Sequence, residues 1–146
     1  MIMRLKSILL SLALGILLIA GGCGGTGGSD SPANAVKDFV KALKEQNSGR
    51  AWNYLSKNSQ SMFDDIAKSR NQSGKEYFEK NVSDVSPLGM AGIDFDVVDE
   101  KKNGDSAVVV IMTKDEKKSD LYAVNEGGVW KLDYARSIRE SMKKLD

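Results

Sequence analysis

Histidine is absent from the sequence, cysteine occurs once and proline twice. The missing histidine excludes Ser-His-Asp and Cys-His nucleophile systems and removes the commonest zinc ligand. A single cysteine excludes a disulfide within the chain. Neither sign of charge dominates, with 21 basic residues against 20 acidic ones. Such a balance argues against nucleic acid as a partner. It also argues against electrostatic docking on a membrane, which needs clustered Lys and Arg. No apolar run reaches the roughly 20 residues that span a hydrocarbon core. Catalysis, if any, would have to rest on carboxylates, Tyr, Lys, Ser or Thr.

The one cysteine is informatively placed. Arg4 and Lys6 precede an almost wholly apolar run from Ile8 to Ile19. Its length suits the h-region of a secretory signal; a short buried helix is the competing reading. Ala20, Gly21 and Gly22 then lead into Cys23. These residues resemble the lipobox of bacterial lipoprotein precursors. The resemblance implies removal of residues 1–22 by cleavage between Gly22 and Cys23, and a diacylglyceryl thioether on Cys23, with fatty acids such as palmitate as the anchor. It also implies a place on the extracytoplasmic face of a cell membrane or on an outer membrane, the latter favoured in a two-membrane cell because residue 24 is Gly and not Asp. Two acyl chains suffice for stable anchoring. Without lipidation Cys23 would be a free thiol or pair between molecules.

Gly24 to Asp30 reads GGTGGSD. Residues 23–30 are expected to form a flexible tether with a mean reach of roughly 16 Å. Residues 31–146 then have the length of one domain, large enough to hold a core without covalent staples.

Ser31-Pro32 has the chemistry of a helix start. Val36, Phe39, Val40 and Leu43 follow on one helical face, and Asn47-Ser48-Gly49 ends it. Three shorter helices are expected. One has Ala51, Trp52 and Leu55 inward, the next Met62, Phe63 and Ile66 with Ser59 as its cap, and the last Tyr77, Phe78 and Val82. Past Pro87 the apolar period falls to two. Asn103-Gly104 predicts a hairpin turn, and further strands over 120–124 and 129–134 flank Asn125–Gly128. The pattern predicts a four-stranded antiparallel meander with the run from Val108 to Met112 central. Ile138, Met142 and Leu145 mark a short amphipathic C-terminal helix that closes the fold or covers a sheet edge. Helices followed by a meander are an α+β plan.

Two stretches carry a more specific likeness. Ala51-Trp52-Asn53-Tyr54-Leu55-Ser56 and Gly128-Val129-Trp130-Lys131-Leu132-Asp133 resemble the hallmarks of small lipoprotein domains of the nuclear-transport-factor-2-like (cystatin-like) type, many of them labelled domains of unknown function or lumazine-binding-like. The resemblance covers about residues 32–134. It implies N-terminal helices on a curved sheet, commonly with a conical pocket. It does not imply an activity.

Trp52, Tyr54, Phe63, Phe78, Phe95, Met112 and Tyr122 would line such a pocket if it is open, and fill it as core if it is not. Trp130, mid-strand beside a tight turn, is expected in the core. Asp64, Asp96, Tyr54 and Tyr122 are the candidates by residue type for proton transfer in an apolar cavity, but nothing in their spacing pairs any two, and no residue is assigned as catalytic. Asp94, Asp96 and Asp99 lie in an extended stretch and lack the compact loop of a calcium site. Neither metal nor cofactor is expected. The lysines at 101–102 and the run 115–118 read as solvated hairpin charges. The sequence therefore points to a lipid-anchored, non-enzymatic domain. It would bind a small apolar ligand or peptide in a sheet-lined cavity, or else serve with a filled core as an accessory subunit of an envelope complex. A carboxylate-based enzyme is the third reading.

Overall fold

A computed structural model describes residues 27–82 and 94–145. The signal, Gly22, Cys23 and Pro87 lie outside them. The described chain is α+β. Helices α1 (Pro32–Lys44), α2 (Ser48–Tyr54), α3 (Lys57–Lys68) and α4 (Gly74–Asn81) come first. Strands β1 (Phe95–Asn103), β2 (Ser106–Thr113), β3 (Lys118–Glu126) and β4 (Val129–Leu132) follow, then α5 (Tyr134–Lys143). The sheet is an open antiparallel meander in the order β1-β2-β3-β4, with β2 internal as its apolar run predicts.

Short side chains start the helices where local chemistry demands. Ser31, Asn47, Ser56, Ser73 and Asp133 each accept a backbone N–H of the turn they cap. Ser73 and Glu76 complete a reciprocal capping box. Two boundaries differ from expectation. Asn47 caps α2 instead of simply ending α1, and Ser56, not Ser59, caps α3. The first hairpin also turns one residue later than Asn103-Gly104 suggests. Asn103 pairs with Ser106, leaving Gly104 and Asp105 as the turn, with Gly104 at φ +58°, which only glycine adopts without strain.

Alternation along β2 and β3 sends Ala107, Val109, Ile111, Leu121 and Ala123 inward. Val109, Ile111 and Leu121 meet Val36, Phe39, Val40, Leu55, Phe63, Phe78, Leu132 and Tyr134 in one core. Trp130 is buried as expected, in a smaller cluster with Ala35, Ala107 and Ala123. Three inward expectations fail. Ile66, Met142 and Leu145 are exposed. Helix α5 turns Tyr134 and Ser137 inward instead and packs only Ile138 of its apolar stripe against the core.

The tether expected over residues 23–30 is not loose at its described end. Ser29 and Trp130 exchange two backbone hydrogen bonds of 2.9 and 2.8 Å, and the Ser29 hydroxyl donates to Asp38. Residues 27–29 thus form a strap along β4.

Candidate functional site

The two stretches singled out in the sequence meet in space. Leu55 and Leu132 form a parallel β-bridge, and the Ser56 N–H donates to the Leu132 carbonyl at 2.9 Å. The Lys131 ammonium donates to the Asn53 carbonyl at 2.6 Å, and burial lowers its pKa. Ser56 and Ser59, both fully buried, lie 2.9 Å apart. Ser59 Oγ accepts the Ala135 N–H, while Asp133 accepts from Asn58, Arg136 and Ser56. Among the described residues no buried side-chain polar atom lacks a partner. This is a clasp of satisfied hydrogen bonds, and it ties the start of α3 to the end of β4.

Several aromatic candidates pack on one another. Phe63 stands 5.2 Å from Phe78, 6.0 Å from Trp52 and 5.9 Å from Tyr134; Trp52 and Phe78 are 5.6 Å apart, ring centroid to ring centroid. Phe63 and Phe78 are 1% and 2% exposed. Burial raises the pKa of Tyr134, which keeps it neutral. Tyr54 lies half-buried under the Arg50 guanidinium. Tyr122 lies under Arg136, 4.5 Å from ring centre to guanidinium carbon, and borders a cleft of about 110 Å³ with Glu140 and Lys144. The pocket expected to gather all seven residues is therefore not one site in the described structure.

The acid candidates are also dispersed. Asp64 is exposed on α3 and accepts the Gly74 N–H at 2.8 Å, so its work is to join α3 to α4. Asp96 is exposed on β1. No hydrogen bond among the described residues joins any two of Asp64, Asp96, Tyr54 and Tyr122. No cluster of potential metal ligands occurs among the described residues.

Phe95 and Met112 do share a concavity. A groove of about 450 Å³ runs between α1 and the start of β1, lined by Lys37, Val40, Lys41, Lys44, Asp94, Phe95, Asp96, Met112 and Lys114. Its lysines come from the outer face of α1 at 37, 41 and 44 and from the end of β2. Asp94 sits between Lys114 at 2.6 Å and Lys44 at 2.8 Å. Hydrogen bonds from Lys114 first and Lys44 second hold its pKa down at about 2. The groove therefore has an apolar floor of Val40, Phe95 and Met112 and a rim with a net positive charge, four lysines against two aspartates. The sequence did not reveal it, because its wall joins residues about 50 to 75 positions apart. The one sequence trace is the spacing of Lys37, Lys41 and Lys44 along a single helix face.

With this geometry in place, comparison with known families gives one result. The chain belongs to the family described as a domain of unknown function (DUF4878), whose model matches residues 22–133. That span holds α1 to α4, all four strands and both halves of the clasp. No curated protein matches the chain.

Proposed function

We propose that the chain is the precursor of a lipid-anchored, extracytoplasmic accessory domain of the cell envelope that works by binding and not by catalysis. The observation that carries this reading is the core itself. The aromatic residues that would line a ligand cone interlock at 5.2–6.0 Å, which favours the accessory role over a carrier with a deep pocket. The order of helices and meander, with the clasp between Ser56 and Asp133, supports placing the domain among nuclear-transport-factor-2-like (cystatin-like) folds. The Ala20-Gly21-Gly22-Cys23 stretch supports the anchor. Ligand binding keeps one specific support, the α1–β1 groove of about 450 Å³, which falls in the size range of small-molecule sites.

The anchor is tested by metabolic labelling with an alkyne palmitate and by membrane fractionation. The wild-type chain is expected to carry label and sediment with membranes, and Cys23→Ser to lose both. Retention of the unlabelled variant on membranes would overturn the anchor. Native mass spectrometry tests the filled core. A bare protein mass is expected, and a stoichiometric adduct would replace the accessory reading with that of a carrier.

A further inference from the structure

We propose that the α1–β1 groove receives an extended acidic segment of a partner protein, which adds to the open edge of β1 as a short fifth strand. The proposal deepens the accessory reading by naming the chemistry of the partner, and it rests on that reading.

The edge itself is the first argument. Strand β1 pairs with β2 alone among the described residues, so its other side offers backbone groups to an incoming strand. The opening is short. A bulge at Val98 breaks the register between Val97 and Asp99, and beyond it the Glu100 N–H is taken by the Asp99 carboxylate at 2.9 Å. Bulges and charges of this kind block pairing along an edge. Asp94, Phe95 and Asp96, before the bulge, also line the groove.

Charge is the second argument. Helix α1 packs over the sheet and reaches β1 through long side chains at its two ends, the Ala33 N–H donating to Glu100 at 2.8 Å and Lys44 donating to Asp94. Its lysines at 37 and 41 lie about 6 Å apart along the axis. Alternate residues of a strand advance about 6.5–7 Å. Acidic side chains at every second position of an added strand would therefore keep pace with them. Lys37 forms no ion pair among the described residues, and Lys41 reaches only Glu45, at 3.9 Å. Asp94 does not oppose an acidic partner, because Lys44 and Lys114 already neutralise it, which leaves Asp96 as the like charge on the lining against Lys37 and Lys41. A strand meets both requirements, backbone pairing and alternating charge, where a headgroup meets only the second.

The test uses the full chain in non-ionic detergent and a fluorescein-labelled decapeptide of alternating Glu and Val, read by fluorescence anisotropy. Saturable binding that weakens with salt is expected. Lys37→Glu combined with Lys41→Glu should weaken it about tenfold or more; both sites are solvent-exposed, and circular dichroism checks that the fold is kept. A peptide with proline at alternate positions should fail to bind, because it cannot donate to the edge. Equal binding of that peptide would overturn strand addition, and no binding, or an unaffected double variant, would overturn the groove as the site. Phosphatidylglycerol vesicles that bind the Cys23→Ser chain through Lys37 and Lys41 while the peptide does not would overturn it in favour of a membrane surface. Palmitate labelling and native mass report on the accessory reading separately, so failure here leaves that reading standing.

Discussion

At one side of the sheet the strand edges are covered; at the other, β1 has β2 as its one strand partner among the described residues. Along β4 the Ser29 strap contributes two backbone hydrogen bonds and Leu55 a parallel bridge. Where the four-residue β4 runs out, α5 takes over the edge of β3. The Tyr122 N–H donates to Ser137 Oγ at 2.9 Å, the Tyr122 carbonyl accepts from the Asp133 N–H, and Lys144 reaches Asp120 at 2.7 Å. Along β1 the protection is a bulge and charged side chains. Covering an edge takes residues from distant parts of the chain and makes the edge structural. Charging it leaves the backbone available, and such edges are where another chain can pair. The contrast assigns stability to the β4 side and recognition to the β1 side.

The largest test of that division is Trp130→Ala. Its alanine neighbours cannot fill the space, and a loss of about 3–5 kcal/mol is expected in chemical denaturation; a loss below about 1 kcal/mol would mean the β4 side does not carry the fold. Next is Gly27→Ala. Gly27 sits at φ +59°, and an added Cβ would collide with the Asn53 carbonyl. The expected cost is about 2 kcal/mol, with hydrogen-exchange protection of the Ser29 amide lost; an unchanged Ser29 amide would mean the strap does not depend on this close approach. Ser59→Ala removes the acceptor of the Ala135 N–H inside the clasp, and a cost of about 1–2 kcal/mol is expected. The smallest effect belongs to Asp94. Its pKa is lowered in the folded protein, so its contribution is present above the ordinary aspartate range near 3.8 and is lost as pH falls through about 2. NMR titration of its carboxyl carbon should find a midpoint near 2, and a midpoint near 4 would show that Lys44 and Lys114 do not hold it.

Much of the α+β plan was legible. Ser31-Pro32 marked the start of α1, and the change of apolar period past Pro87 marked the meander. The candidate site was not. The aromatic residues were visible, but whether Phe63 faces a void or Phe78 is a question of distance between helices. The groove was invisible because Lys37 and Lys114 meet only once the sheet lies under α1. Met142 and Leu145 misled, since a clean helical stripe signals amphipathicity without naming a partner for it. The buried serines were missed for the opposite reason. Ser56 and Ser137 are polar by type and Ser59 read only as a helix cap; the Ser56–Ser59 hydroxyl pair and the N–H groups of Ala135 and Tyr122, which donate to Ser59 and Ser137, are what support their burial.

What the sequence determined alone is what short-range chemistry can decide. Hydroxyl and amide side chains cap the turns that follow them, glycine takes positive φ at Gly104, Gly127 and Gly128, and periodicity sorts inward from outward faces within an element. Tertiary structure decided the rest. It turned residues 27–29 of the glycine-rich tether into a strap on β4, set the bulge at Val98 against Ile111 and Val110, closed the aromatic core, and left β1 with one strand partner among the described residues. Each of these depends on which distant segments share a surface, and local propensity carries no information about that choice.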